Sequence, residues 1–195
     1  MSEPNEVKLV VVGETGVGKT TLLQRYAEGK VEEQLSTIGA CCMEKAVEVN
    51  SRTYNLSLWD TAGQEAYRAI VPMYFRGASI ALIVADITNE KSLETIPYWI
   101  NLVHKNLSTE NPIVSIVVNK IDLKESQVMT EGDILSTYHT TEMEVFFTSA
   151  IANIGVDTLF DYLLNKYDNL GQPTDDNVAV AEISRKDSKT SHCMC

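Results

Sequence analysis

Gly13-Glu14-Thr15-Gly16-Val17-Gly18-Lys19-Thr20 stands between an apolar run, Val7-Lys8-Leu9-Val10-Val11-Val12, and a segment, Thr21-Leu22-Leu23-Gln24-Arg25-Tyr26-Ala27, whose apolar residues recur at helical spacing. The eight residues fit the pattern G-x-x-x-x-G-K-[ST]. The preceding run is short and rich in β-branched residues, as a buried strand is. A strand, a glycine-rich turn and a helix start make the setting in which this pattern holds phosphate. Glycines let the backbone curl tightly, so that successive N–H groups point inward at a polyphosphate. The helix N-terminus adds its partial positive charge. Lys19 then reaches the β- and γ-phosphates, and the Thr20 hydroxyl is placed to ligate Mg²⁺.

Working outward, the 195 residues suffice for one domain with a full core. Asp and Glu number 27 against 16 Lys and Arg. Neutralising a nucleic-acid backbone needs a basic face, so this balance argues against a nucleic-acid partner. The polar start Met1-Ser2-Glu3-Pro4-Asn5-Glu6 has the form of neither a signal peptide nor an N-myristoylation site. No apolar run approaches the ~18 residues of a membrane span. The four cysteines form two close pairs, Cys41-Cys42 and Cys193 with Cys195. Neither a disulfide framework nor a metal site is expected from such spacing.

Along the chain, Gly29 reads as the left-handed cap of the first helix. Residues 30–45 carry neither helical nor strand period, and a long irregular segment beside a phosphate loop is often functional. Residues 46–49 and 54–60 read as a hairpin turning at Asn50-Ser51. Buried runs follow at 80–85, 113–118 and 145–147, with helical candidates at 91–105, 130–139 and 156–168 between them. Trp99 and Ile100 read as core packing of the first of these. His104, His139 and His192 read as isolated surface or capping residues. Strands alternating with helices predict an α/β fold, a parallel sheet covered on both faces, with the working loops at the carboxyl ends of its strands. From about residue 171 the composition turns polar, which predicts residues 1–170 as the folded domain and 171–195 as a flexible tail.

The other motifs fall at those strand ends. Asn119-Lys120-Ile121-Asp122 names the base: guanine offers two neighbouring N–H donors that one carboxylate, Asp122, can accept together, and adenine does not. Asp60, in Asp60-Thr61-Ala62-Gly63-Gln64-Glu65, stands where an acid would hold Mg²⁺. The N–H of Gly63 is placed to meet a γ-phosphate, and Gln64 to orient the attacking water. Ser149-Ala150 closes the last strand. Together with Thr37, these motifs resemble the small GTPases of the Ras superfamily over nearly the whole chain. Trp59 through Glu65, Tyr67-Arg68, Pro72-Met73-Tyr74-Phe75-Arg76-Gly77-Ala78, Ala85-Asp86-Ile87-Thr88 and the terminal Cys193-Met194-Cys195 resemble the Rab branch.

The resemblance implies the phosphate-loop NTPase fold of small GTPases: a mostly parallel six-stranded sheet with one antiparallel strand and helices on both faces. It implies GTP/GDP and Mg²⁺ as ligands, and a switch in vesicle traffic. Nucleotide contacts would come from Gly13, Thr15, Gly16, Val17, Gly18, Lys19, Thr20, Thr21, Thr37, Asp60, Gly63, Asn119, Lys120, Asp122, Ser149, Ala150 and Ile151. Thr20, Thr37 and Asp60 would serve the metal, and Gln64, Lys19 and Gly63 the hydrolysis. Implied partners are an exchange factor, a GTPase-activating protein, a GDP-dissociation inhibitor or Rab escort protein, and GTP-state effectors. Geranylgeranyl groups on Cys193 and Cys195 would hold the protein on the cytoplasmic face of endomembranes, in exchange with the cytosol.

The chain also departs from the family pattern. Lys30 and Val31 stand where an aromatic residue usually packs against guanine, and Ile151 stands where a lysine stem usually covers it, which implies a weaker grip on the base. Thr15 stands where Ras itself has glycine, which implies slow intrinsic turnover. In the Rab trio of partner-facing residues Cys42 joins Trp59 and Tyr74, and as a small apolar residue Cys42 is expected to be buried. Two other functions fit parts of the sequence. A binding module could carry nucleotide and hydrolyse almost none, an option that Gln64 disfavours. A phosphotransferase would need an arginine-rich lid, and the few arginines here do not cluster.

Overall fold

A computed structural model describes residues 5–31, 40–61, 71–107, 109–139 and 143–171. The strands are β1 (Asn5–Val12), β2 (Ala40–Val49), β3 (Arg52–Thr61), β4 (Ile80–Asp86), β5 (Ile113–Asn119) and β6 (Glu144–Phe147). They form one sheet in the order β2-β3-β1-β4-β5-β6. β2 runs antiparallel to β3, and every other neighbouring pair is parallel. This is the mixed six-stranded sheet that the sequence resemblance implies.

Why the runs are continuously apolar is clear from β1. Successive side chains of a strand point to opposite faces. Val7, Leu9 and Val11 join one core with Leu22, Leu23 and Tyr26 of α1 (Lys19–Glu28) and Leu159, Phe160 and Leu163 of α6 (Val156–Leu170). Val10 and Val12 join the other, with Leu93 of α3 (Glu90–Glu94), Trp99 and Val103 of α4 (Ile96–Asn106) and Ile134 of α5 (Glu131–Tyr138). A strand covered on both faces has no polar side to show. Tyr26 stacks on Phe160 with ring centroids 3.6 Å apart, locking α1 to α6.

Several elements differ from the sequence reading. Ala40 to Lys45 extend the hairpin strand rather than belonging to an irregular segment. Their support is the backbone ladder to β3, from Ala40 opposite Thr61 to Val49 opposite Arg52. Such pairing leaves little trace in side-chain alternation on an edge strand. On that edge Cys42, expected to be buried, is exposed, and so is Cys41; both are free thiols. The predicted helix at 91–105 is two helices that meet at Thr95, with Pro97 in the first turn of α4, where its missing N–H costs nothing. A single turn, α2 (Val71–Tyr74), was not expected. His139 is not isolated: it caps α5, and its Nε2 lies 2.9 Å from Glu144 Oε2. Gly29 does close α1 in the left-handed region, at φ 71°. Among the described residues, no helix is long and apolar enough to cross a membrane.

The hairpin turns through Asn50 and Ser51, both at positive φ, as a tight turn matched to strand twist requires. Its tip is tied to α6. The carboxylate of Asp168, 2% exposed, accepts hydrogen bonds from Asn50 Nδ2 at 2.9 Å, Tyr54 Oη at 2.5 Å and Arg52 Nη1 at 3.1 Å. The Asn50 and Tyr54 hydrogen bonds, helped by the Arg52 charge, hold the Asp168 carboxyl below its usual range. A carboxyl depressed in the folded state contributes stability above its unfolded pKa of about 3.9, and that contribution disappears as pH falls through the folded value. Asp168→Asn is therefore expected to lower the denaturation midpoint at pH 7, with the gap to the parent protein narrowing steadily below pH 4. Urea melts of both proteins across that range check it; a gap that does not change with pH would refute the assignment.

Candidate functional site

Strand register gathers the motifs on one edge of the sheet. Val11 of β1 lies beside Asp60 of β3, Asp86 of β4 beside Asn119 of β5, and Val118 of β5 beside Phe147 of β6. From β1 the chain goes to β3 on one side and later to β4 on the other. The loop after β1 thus sits where the strand order reverses, the place where open α/β sheets bind ligands.

That loop needs its glycines for two separate reasons. Gly13, at φ 142°, passes so close to β4 that a Cβ there would lie 2.1 Å from the Val84 carbonyl oxygen. Gly18, at φ 96°, would place a Cβ 2.4 Å from Asn119 Nδ2. Gly16, at φ 80°, faces open space. Gly18 is also the N-cap of α1, and no side chain caps that helix start. Val17 is buried beneath the loop, Thr15 is exposed, and Thr21 is half-buried on α1.

Lys19 is 6% exposed, and its Nζ donates to the carbonyl oxygens of Gly13 at 2.9 Å and Glu14 at 2.8 Å. Burial lowers its pKa to about 8, against the opposing pull of the Asp60 and Glu14 charges. The ammonium is therefore under-solvated and suited to an anion. Thr20 Oγ1 donates to Asp60 Oδ2 at 2.6 Å, and Asp60 is fully buried. A hydroxyl and a carboxylate oxygen so close together form the hard-oxygen donor set that Mg²⁺ takes.

The second group of motif residues is built around Asn119, 2% exposed. Its Nδ2 donates to the Val17 carbonyl at 3.0 Å, inside the phosphate loop. Its Oδ1 accepts from Thr148 Oγ1 and from the Ala150 N–H, each at 3.1 Å. Lys120 adopts φ 67°, uncommon outside glycine, and its ammonium reaches the Gly16 carbonyl at 2.7 Å and Asp86 Oδ2 at 2.6 Å. Asp86 is itself fixed, because its Oδ1 accepts from both the N–H and the hydroxyl of Thr88. Asp122 is exposed at the turn that the Leu123 N–H closes onto the Lys120 carbonyl. Ser149 and Ala150 are buried, whereas Ile151 is 68% exposed.

The structure thus brings together residues 13–21, Asp60, Asn119, Lys120, Asp122 and residues 149–151. Thr37, Gly63, Gln64, Cys193 and Cys195 lie outside the described residues. Three participants are not apparent from the sequence. Asp86 stands there within a signature but without a role, although its position at a strand end beside Asn119 is a usable signal. Thr148 and Arg25 act on Asn119 and on residues 150–151, and nothing local marks them. Trp59 and Tyr74 are half-buried with ring centroids 5.8 Å apart, and the Lys8 ammonium stands 4.4 Å over the Trp59 ring.

A mostly parallel sheet that sets the glycine-rich loop at 13–20 against Asp60, buried beneath the half-buried Thr20, and against a loop centred on Asn119 has the architecture of a phosphate-loop NTPase of the small-GTPase class. The Ras family model matches residues 8–169. The chain is 36% identical to Rab-22A of Canis lupus familiaris over 156 residues, 80% of each chain. It is 37% identical to RABF2b of Arabidopsis thaliana over 191 residues, 96% of this chain and 94% of that one. It is 38% identical to Rab5 of Nicotiana tabacum over 156 residues, 78% of this chain and 76% of that one. The chain belongs to the Ras family. Within it, the chain is a Rab-type small GTPase, a GTP/GDP switch of vesicle traffic that binds its nucleotide with Mg²⁺, hydrolyses GTP and works with regulators and effectors on endomembranes.

The glycines give a direct test. Gly16→Ala should cost about 1 kcal/mol, the left-handed penalty alone. Gly13→Ala adds a collision with β4 backbone and should cost about 2–5 kcal/mol. Chemical denaturation of both variants, extrapolated to zero GDP because the nucleotide's own contribution varies with its affinity, measures the difference; equal costs would contradict the packing described.

Proposed function

We propose that this Rab-type GTPase divides its chemistry among the residues gathered at the carboxyl edge of the sheet. The backbone N–H groups of residues 13–18 wrap the β- and γ-phosphates, with Thr15 and Thr21 at the margin. Lys19 neutralises the phosphate oxygens on which charge develops as the β–γ bridge bond breaks. Thr20, Asp60 and Thr37 hold Mg²⁺, which when bound neutralises charge on the β- and γ-phosphates. The Gly63 N–H contacts the γ-phosphate, and Gln64 orients the water that attacks it, giving GDP and inorganic phosphate. Asp122 accepts both donors of the guanine edge, Asn119 and Lys120 brace the base loop against the phosphate loop, and residues 149–151 line the base.

One observation carries this reading: a single side-chain amide, that of Asn119, bonds the phosphate loop at Val17 and the base loop at Ala150. A site so joined recognises a whole nucleotide rather than phosphate alone. The under-solvated Lys19 supports the anion, and the Thr20–Asp60 contact supports the metal.

Substitutions separate the roles. Lys19→Ala should weaken both nucleotides, whereas Thr20→Asn should weaken GTP more than GDP, because the metal matters most where the γ-phosphate is present. Gln64→Leu should slow single-turnover hydrolysis while GTP binding persists. An activator that supplies an arginine should speed the parent on the order of 10³–10⁵-fold. Fluorescent-nucleotide titration and phosphate release measure these effects; equal GTP and GDP affinity in Thr20→Asn, or full-rate hydrolysis in Gln64→Leu, would refute the corresponding role.

The membrane part of the proposal rests on the tail, residues 171–195. One lipid chain anchors only marginally, and stable attachment takes two signals. The tail carries Arg185, Lys186 and Lys189 against Asp175, Asp176, Glu182 and Asp187, three positive charges to four negative, so a polybasic second signal is missing. Geranylgeranyl groups on both Cys193 and Cys195 supply the pair. A GDP-dissociation inhibitor or Rab escort protein carries them, an exchange factor and a GTPase-activating protein set the nucleotide state, and the protein cycles between cytosol and the cytoplasmic face of endomembranes. Loss of either cysteine should leave a weakly bound protein and loss of both a cytosolic one. Fractionation and intact-mass measurement test this; membrane binding that survives the double change would overturn it.

A further inference from the structure

Residue 150 is held through both of its backbone polar groups. On one side its N–H donates to Asn119 Oδ1 at 3.1 Å. On the other its carbonyl accepts from Arg25 Nε at 2.8 Å, while Arg25 Nη2 donates to the next carbonyl, that of Ile151, at 3.0 Å. The third edge of the same guanidinium, Nη1, donates to the Gly29 carbonyl at 2.7 Å, where α1 ends. Arg25 belongs to α1, the helix that starts at the phosphate loop. Asn119 bonds Val17 in that loop. The links therefore close a circuit: Val17 to Asn119, Asn119 to Ala150, Ala150 to Arg25, and Arg25 back along α1 to Val17.

Among the described residues the Arg25 bonds are the hydrogen bonds that tie residues 150 and 151 to α1; Ala150 also joins the core that α1 helps to form, whereas nothing of that kind holds residue 151. The bond from the Ala152 N–H to Ser149 Oγ and the bridge between Ser149 and Ile154 lie within the turn and shape it without anchoring it. Ile151, 68% exposed, is not anchored by burial of its side chain. A planar guanidinium can meet two successive carbonyls in fixed geometry, which a lysine ammonium, a point charge on a flexible stem, cannot.

We infer that Arg25 is a positioning residue for nucleotide retention: it clamps the carbonyls of Ala150 and Ile151 to α1 and thereby sets the rate at which guanine nucleotide leaves. The inference rests on the reading that residues 149–151 line the base. Arg25 touches no reacting atom, so its loss acts on release. It also ties the base loop to Gly29, the cap residue of α1, so displacement of the chain there loosens the base loop through the same side chain.

The test compares Arg25→Gln, Arg25→Lys and Ala150→Val in the full chain, loaded with fluorescent GDP and chased with unlabelled GDP. Losing the two charge-assisted hydrogen bonds to residues 150 and 151, together with the one to Gly29, should speed release on the order of tenfold or more in Arg25→Gln. Arg25→Lys, which keeps the charge and reaches one carbonyl at most, should fall between it and the parent. The single-turnover rate of cleaving preloaded GTP should move much less than release, and the thermal midpoint in saturating GDP should fall no further than the ~1.4 kcal/mol that a tenfold loss of affinity carries. A merely structural role would move all three together, which would overturn the inference. So would parental release in both Arg25 variants while Ala150→Val, whose added bulk displaces the loop directly, releases faster. Parental release in Ala150→Val as well would instead overturn the reading of residues 149–151. Should Arg25→Gln not fold, release from Arg25→Lys decides in its place: faster than the parent upholds the clamp, and equal to the parent overturns it.

Discussion

The side chain of Asn119 holds the glycine-rich loop at 13–20 and the turn at 149–151 in one frame. One amide donates into the phosphate loop and accepts from the base loop, and it is buried, so water does not compete. Removing either partner would strand a buried polar group, which costs about 1–3 kcal/mol beyond the lost bond. The same amide leaves no room for a side chain at position 18. The glycine requirement in the phosphate loop and the asparagine requirement in the base loop are thus one constraint seen from two sides.

Around that frame the charges are arranged at some cost to the protein alone. Lys19 is buried with two carbonyls for company and a lowered pKa, and Asp60 is buried against a threonine hydroxyl. Isolated buried charges destabilise a fold. Here each keeps polar neighbours, two carbonyl oxygens for Lys19 and the Thr20 hydroxyl for Asp60, which offset part of that cost. Lys120 follows the same logic at the surface, where Asp86 holds its ammonium and its backbone accepts a left-handed conformation.

What the sequence disclosed, and what it hid, divides by the range of the interaction. Residues 13–20 and 119–122 were legible because their chemistry needs particular residues at fixed spacing within one turn. The buried strands were legible because both faces are apolar. Ala40 to Lys45 were not, since an edge strand held by its backbone ladder has no obligatory pattern. Cys42 misleads for a related reason: its residue type suggests burial, while its place on the edge dictates exposure. Arg25, Asp86 and Thr148 were hidden because each works through a contact far away in sequence, Arg25 onto backbone carbonyls that any residue could supply. A chain read locally can show what binds and still hide what braces the binder.

The β2–β3 hairpin carries a mechanical implication. Ten residues on each strand, at about 3.4 Å each, make a ribbon roughly 30 Å long. At the turn it is pinned to α6 through Asp168, and along its length β3 is laid against β1. Its free end, Ala40 opposite Thr61, borders the phosphate-side chemistry at Asp60. Such a ribbon is held at its turn by α6 and along β3 by β1, so only β2 forms its outer edge. Trp59, paired with Val10 of β1 and covered by the Lys8 ammonium, is therefore carried by the body of the sheet rather than by the strand edge on which Cys42 lies.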